Sequence, residues 1–395
     1  MSALRLLFLI TLVSVGIQDS VSGQDTGSRF QPLFNGKNLD GWVRTNTPES
    51  TWSFEDGMLI CTGRPIGELR TQKMYQNFIM EIEWRHMKPR GNAGIFVWAD
   101  DITAPGVPFH RGVEVQVLEN SYGNTLGYTT HGDIFPIHGA KMTPVNGRGG
   151  SRAFPTENRS RPSPEWNHYR IECRSGQISL AVNGKVVTRG KGCSPAKGYI
   201  CLESEGGIVH YRNAKIQELP DTPIQTQDIA VAARGYRSLY SGLDLNGWKH
   251  AESNAGHWQA NDWILSYDGR SKAQDTALVS DESYGDIGFV VDFRLKSDSG
   301  RPVIQLRGEG GVSVPLTADN TSLRSLKPPG RWNRVEGTLN GQTVSLSLNG
   351  QPVSLKSRSG KLPAAGPLQI VPDGPIDFAN IYVRPLTTGG VRQSP

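Results

Sequence analysis

The chain has 395 residues and 42 Lys plus Arg against 37 Asp plus Glu, a formal charge of +5. That length exceeds what one hydrophobic core usually serves, so two globular domains are expected, and the small charge, without a dense basic stripe, argues against a nucleic-acid partner. Forty-six Gly and 25 Pro, with no long stretch of period 3.6, favour many short strands over helices, so the class is all-β.

In chain order, residues 1–23 (MSALRLLFLITLVSVGIQDSVSG) place Arg5 before an apolar run and end in small residues. This is the pattern of a signal peptide, and it predicts export to the periplasm or the exterior. The run is too short to cross a bilayer comfortably, and no later segment reaches the roughly 20 apolar residues of a membrane helix. The mature protein is therefore expected to have no membrane span. No protein partner is identifiable.

LFNGKNLDGWVR (33–44) returns as LYSGLDLNGWKH (239–250), and TWSFEDGMLICTG (51–63) as HWQANDWILSYDG (257–269). Farther on, EWNHYRIECRSGQISLAVNGKVV (165–187) aligns with RWNRVEGTLNGQTVSLSLNGQPV (331–353), at a shorter offset. The chain thus holds two copies of one module, at 30–219 and 236–387, and the first carries an insert between Trp98 and Pro164. Residues 220–235, with Pro220 and Pro223, read as the linker, with room for a short helix.

Alternating stretches such as FIMEIEWRH and ISLAVNGKVV predict strands, and the Asn-Gly pairs in LAVNGKVV and LSLNGQPV predict tight hairpins. A β-sandwich follows for each copy, with Phe78, Met80, Ile82 and Trp84 facing inward on one strand and Ile178, Leu180 and Val182 on another. Cys61, Cys173, Cys193 and Cys201 all lie in the first copy. An oxidising compartment permits bridges between them, while their apolar neighbours equally suit buried thiols. No CxxC pair offers a zinc signature.

The order FNGKNLDGW, W-x-x-x-DGML, NFIMEIEWR, GNAGIFV, GVEVQVLEN, PEWNHYRIEC and LAVNGK resembles the 3-keto-disaccharide hydrolase family, also described as 3-keto-glucoside lyase and hydratase domains. The resemblance spans about residues 30–219; the second copy matches only the frame. It implies two tandem concanavalin-like jelly-roll β-sandwiches, the second non-catalytic and read as sugar-binding or support.

Within GVEVQVLEN, Val113, Val115 and Val117 alternate with Glu114 and Gln116, and Glu119 follows beyond the strand end. A strand lining a cleft turns alternate side chains toward the ligand, and the second copy lacks this acidic strand. Glu114 is accordingly the candidate acid. The insert concentrates the other reactive groups: His110, His131, Asp133, His138 and Arg148, together with Arg111, Lys141, Arg152, Glu157 and Arg159. Ile134, Phe135, Ile137 and Phe154 would anchor it as an ordered loop.

A ketone at C3 of a pyranose acidifies the C2 hydrogen, so a base can remove it, the glycosidic oxygen can leave from C1, and water can add back. Net hydrolysis of a 3-keto-glycoside needs a base, an acid and a stabiliser at the ketone oxygen. His138 or His131 is the expected base. Gln116 or Arg148 would hold the enolate, and Gln116, Glu119, Asp133, Arg148 and His110 make up the expected substrate-binding set. No cofactor is required by the sequence, although His131, His138 and Asp133 are ligand types for a divalent metal ion. Two alternatives are a glycoside hydrolase working with two carboxylates and a secreted tandem carbohydrate-binding protein without catalysis. Against the first, EVQVLE puts Gln116 where laminarinase-like enzymes carry an Asp, and Glu114 and Glu119 would point to opposite faces of a regular strand.

Overall fold

The computed structural model describes residues 29–122, 131–232, 234–272, 275–317, 325–355 and 360–386. The signal peptide expected at 1–23 lies outside them. Among the described residues, regular structure consists of β-strands and three short 3-10 turns, with no α-helix. Among these residues, no helix is long and apolar enough to cross a membrane.

Each copy forms two antiparallel sheets stacked on its own core, a jelly-roll sandwich of the concanavalin-like type. In the first copy, strands Phe78–His86, Asn167–Arg174, Gln177–Val182 and Val209–Glu218 belong to the larger sheet. The period-two pattern of FIMEIEWRH sends Phe78, Met80, Ile82 and Trp84 to the core, where none is more than 2% exposed, and leaves Glu81, Glu83 and Arg85 outside. The Asn-Gly pair between Gln177–Val182 and Lys185–Ser194 turns with φ of 47° at Asn183 and 87° at Gly184, the left-handed pair that a two-residue hairpin requires. Asn349 and Gly350 repeat this in the second copy, at 51° and 78°.

The smaller sheet of the first copy runs in the order Trp42–Thr45, Gly67–Thr71, Tyr199–Ser204, Gly94–Ala99, Gly112–Gln116, Ile134–Ile137. Leu69, Ile95, Val97, Val113, Val115, Ile200 and Leu202 face the core. The alternate residues, among them Glu68, Phe96, Glu114, Cys201 and Glu203, face the other way, and a bulge at Trp98 (φ 55°) interrupts the pairing with Tyr199–Ser204. The insert covers this outer face and supplies its edge strand, Ile134–Ile137, whose Phe135 pairs with Glu114. Ile134 and Phe154 are buried as its anchors. Within the linker, the 3-10 turn Thr226–Asp228 docks on the first sandwich through Ala196 and Lys197.

The second sandwich packs its eight-stranded sheet against the start of the insert. Ile102 inserts between Val290 and Tyr382. The Gly106 amide donates to Asp292 (2.8 Å), Asn380 donates to the carbonyls of Ala104 and Val107, and Arg334 donates to that of Thr103. Asp292 is itself fully buried and held by Arg334 at 2.6 and 2.8 Å. The shorter copy thus clamps residues 103–107, immediately ahead of Phe109 and His110.

Candidate active site

The outer face of the smaller sheet carries four carboxylates, on three of its strands and the turn that follows one of them. Glu68 and Glu203 sit directly opposite each other in the ladder between Gly67–Thr71 and Tyr199–Ser204. Glu114 comes from Gly112–Gln116, and Glu205 follows Ser204. Between Glu114 and Glu203 runs the chain at Gly94, where a methyl group would lie 2.8 Å from Glu114 Oε1 and 3.0 Å from Glu203 Oε2. The absent side chain leaves a space that both carboxylates face.

Burial governs the protonation of this cluster. Glu114 and Glu203 are 7% and 2% exposed. Desolvation, and after it the charge of Glu205, raises both carboxyls well above the usual range, which favours the protonated form of each. Glu205 is half-buried at the solvent edge, and burial raises its pKa to about 7, partly offset by hydrogen bonds from Glu203 and Asn92. Two buried acids next to a carboxylate that titrates near neutrality divide proton donors from a proton acceptor. Asn92 also accepts from Gln116 Nε2 at 3.0 Å, and Gln116 donates again to the Ala93 carbonyl at 3.2 Å.

At the other end of the face the insert brings in aromatic and imidazole groups. Phe109 packs on Phe96 at 6.0 Å, and His138, at a left-handed φ of 51°, stacks on Phe109 at 6.4 Å. His138 is open to solvent apart from that covered face, whose burial lowers its pKa; Glu68 opposes the shift and His110 adds to it. His110 is fully buried: its amide donates to Glu68 Oε2 (2.8 Å), its Nδ1 forms a short hydrogen bond with the same oxygen, and Cys201 Sγ lies 3.7 Å from Nδ1. Arg152 lies over Phe135 at 3.5 Å, pairs with Asp133 at 3.1 Å, and is the nearest cation to act on Glu114.

The expected site residues therefore separate into two groups. Glu114, Gln116, His110 and His138 share the outer face. Asp133 lies beside it, fully buried under Arg152. Glu119 and His131 sit elsewhere. Burial tends to raise Glu119, but three backbone amides, those of Arg90, Ser121 and Ser163, hold it low as a loop-fixing carboxylate. His131 rests near Trp84 between Asn158 (2.6 Å) and Ser160 (2.7 Å), and burial drops its pKa to about 4. Arg148 is exposed and stacks on Phe154 at 4.0 Å; the arginine directed at the carboxylates is Arg152.

Sequence reasoning passed over Glu68, Glu203 and Glu205. Glu68 and Glu203 sit in ELR and LES at positions that alternate with core Leu69 and Leu202, the same signal that singled out Glu114. The metal expectation changes as well. His131, Asp133 and His138 form no donor cluster; among the described residues the group whose donor atoms all come within 4.8 Å of one another is Glu68, His110 and Cys201. All four cysteines are buried free thiols.

No curated protein matches the sequence. Among solved structures, a putative glycosyl hydrolase from Parabacteroides distasonis ATCC 8503 is 22% identical, with 49% of this chain and 95% of that one covered and a TM-score of 0.39. Bacillus licheniformis β-glucanase is 13% identical (50% and 100% covered, TM-score 0.33), and the carbohydrate-binding module CBM66 from Bacillus subtilis is 10% identical (45% and 95%, TM-score 0.32). The model of the 3-keto-alpha-glucoside-1,2-lyase-like domain matches residues 29–217 and again 235–384, and the chain belongs to that family, with two tandem copies.

Proposed function

We propose that the first sandwich cleaves 3-keto-glycosides by elimination and hydration, in an exported protein whose second sandwich is non-catalytic. The observation that carries this reading is the convergence of Glu114 and Glu203 on the space above Gly94. Burial favours the protonated form of both, so either can donate a hydrogen bond to the C3 ketone as it becomes an enolate, and the other can protonate the departing oxygen. A base near its own pKa is needed for the C2 hydrogen. Glu205, at about 7, meets that condition; His138, neutral at working pH, is the second candidate.

The reaction balances without an external oxidant. The base takes the C2 proton, and the C–H electrons form the enolate. The enolate then re-forms the C3 ketone, makes a C1–C2 double bond and releases the aglycone oxygen with a proton from the acid. Water adds its hydroxyl to C1 and a proton to C2.

A second reading rests on the same geometry. Two carboxylates that reach one point also suit glycoside hydrolysis with a nucleophile, which needs a separation of about 5 Å. Burial, which favours the protonated form of both, works against it, since a nucleophile must be ionised. The test is turnover of a 3-keto-glucoside and of its unoxidised parent in deuterated water, by the wild type, Glu114→Gln and Glu203→Gln. Elimination requires cleavage of the keto compound alone, with deuterium at C2 and loss in both variants. Cleavage of the unoxidised sugar overturns it in favour of the nucleophilic route, and binding without cleavage of either makes the protein a tandem sugar-binding protein.

A further inference from the structure

We propose that Glu68, His110 and Cys201 form a zinc-binding site beneath the insert, at the inner end of the carboxylate cluster. The three residues come from separate parts of the chain: strand Gly67–Thr71, the loop ahead of Gly112–Gln116, and strand Tyr199–Ser204. Each is fully buried, and their donor atoms lie within 4.8 Å of one another.

The donor set selects the metal. Thiolate, imidazole and carboxylate together suit zinc, whereas magnesium and calcium prefer all-oxygen shells. With Zn–S near 2.3 Å and Zn–N near 2.0 Å, tetrahedral coordination puts sulfur and nitrogen roughly 3.5 Å apart. Cys201 Sγ and His110 Nδ1 are 3.7 Å apart. That pair therefore already stands at the spacing of a tetrahedral edge, while Glu68 Oε2, in a short hydrogen bond with Nδ1, would draw back as the ion takes the place of the shared proton.

A second observation is independent of that spacing. Glu68 Oε1 is a buried polar atom that lacks a hydrogen-bond partner among the described residues. A buried carboxylate oxygen without a partner is costly, and a bound ion accounts for it.

Binding would convert the Cys201 thiol, held protonated by its surroundings, to a thiolate with release of its proton to solvent. The site needs His110 in place, and the loop that presents it is the one clamped by Asp292, Asn380 and Arg334.

The test uses the full-length mature protein, stripped with a chelator and dialysed, then titrated with zinc against a colorimetric competitor and separately with cobalt. The expected result is one zinc per chain. Cobalt should give a thiolate-to-metal charge-transfer band that disappears in Cys201→Ser and persists in the control Cys173→Ser, and His110→Gln should weaken zinc binding at least 100-fold. Circular dichroism of each variant establishes that the fold is retained. A wild type that binds no stoichiometric metal, or a cobalt spectrum unchanged by Cys201→Ser in a folded protein, overturns the site. Neither readout depends on the sugar chemistry, so failure here leaves the proposed reaction standing and the reverse holds too.

Discussion

Asp292 of the second sandwich accepts a hydrogen bond from the Gly106 amide of the first at 2.8 Å, with both atoms buried. The same carboxylate holds Arg334 and Asn380, which in turn bond to the carbonyls of Thr103, Ala104 and Val107. A degenerate copy that lacks the acidic strand is thereby joined to the loop that delivers Phe109 and His110 to the site. Removing one partner of a buried ion pair costs about 3–5 kcal/mol, because the other charge is left unpaired. Asp292→Ala should lower stability by that order in urea unfolding. It should also raise amide exchange through residues 103–110 under native conditions. Unchanged exchange there would mean that the insert holds its own shape without the second sandwich.

Gly94 gives a sharper test of the carboxylate pair. A methyl group at this position would touch Glu114 Oε1 at 2.8 Å and Glu203 Oε2 at 3.0 Å, and would also meet the Phe96 ring at 3.0 Å. Both carboxylates are ends of side chains that can shift by a few tenths of an ångström, so the fold should survive Gly94→Ala. The space for the reacting atoms should not. Turnover of the keto-glycoside is expected to fall at least 100-fold, since misplacement of about 1 Å is worth that much, while the melting temperature moves by only a few degrees. Full activity in a folded Gly94→Ala would show that the substrate binds away from this gap.

The contrast between Glu114 and its missed partners shows how far the sequence alone could be read. Glu114 and Gln116 alternate with three valines in GVEVQV, so the period-two pattern is visible locally, and the core positions Phe78, Met80, Ile82 and Trp84 were legible for the same reason. The repeat, the hairpin turns at Asn183 and Asn349 and the all-β class are local or periodic features. Glu68 and Glu203 meet only because Gly67–Thr71 and Tyr199–Ser204 pair across more than a hundred residues, and no local pattern encodes which strands become neighbours. Cys201 joins His110 by the same long-range pairing, which a search for CxxC spacing cannot find. His131 and His138 looked equivalent in HGDIFPIH, yet the short strand between them puts one near Trp84 and the other over Phe109.

The two arginines of the insert make opposite predictions. Arg148 stacks on Phe154 at the exposed surface, so Arg148→Ala should leave turnover within about twofold, in keeping with the small effects of surface changes. Arg152 pairs with buried Asp133 and lowers the pKa of Glu114 against the effect of burial. Its loss removes the ion pair to Asp133 and makes Glu114 a weaker acid. Arg152→Ala should cut turnover at least tenfold and move the alkaline limb of the pH–rate profile upward. Equal behaviour of the two variants would remove Arg152 from the site.

The carboxylate cluster also fixes how stability depends on pH. Glu205 has an ordinary carboxyl pKa when unfolded and about 7 when folded, with burial as the main cause. A group whose folded pKa is raised favours the folded state while protonated, so its contribution is full below about pH 4.5 and is lost as the pH rises through about 7. Glu114 and Glu203 are raised by burial as well and act in the same direction. Wild-type stability in urea should therefore decline between about pH 5 and 7.5, against the usual trend for paired surface carboxylates. Glu205→Gln, which keeps the shape and removes the titration, should flatten that window. A wild-type curve that rises across it, or a Glu205→Gln curve with the same slope, would mean that Glu205 is ionised in the folded protein throughout and cannot be the base that neutral pH requires.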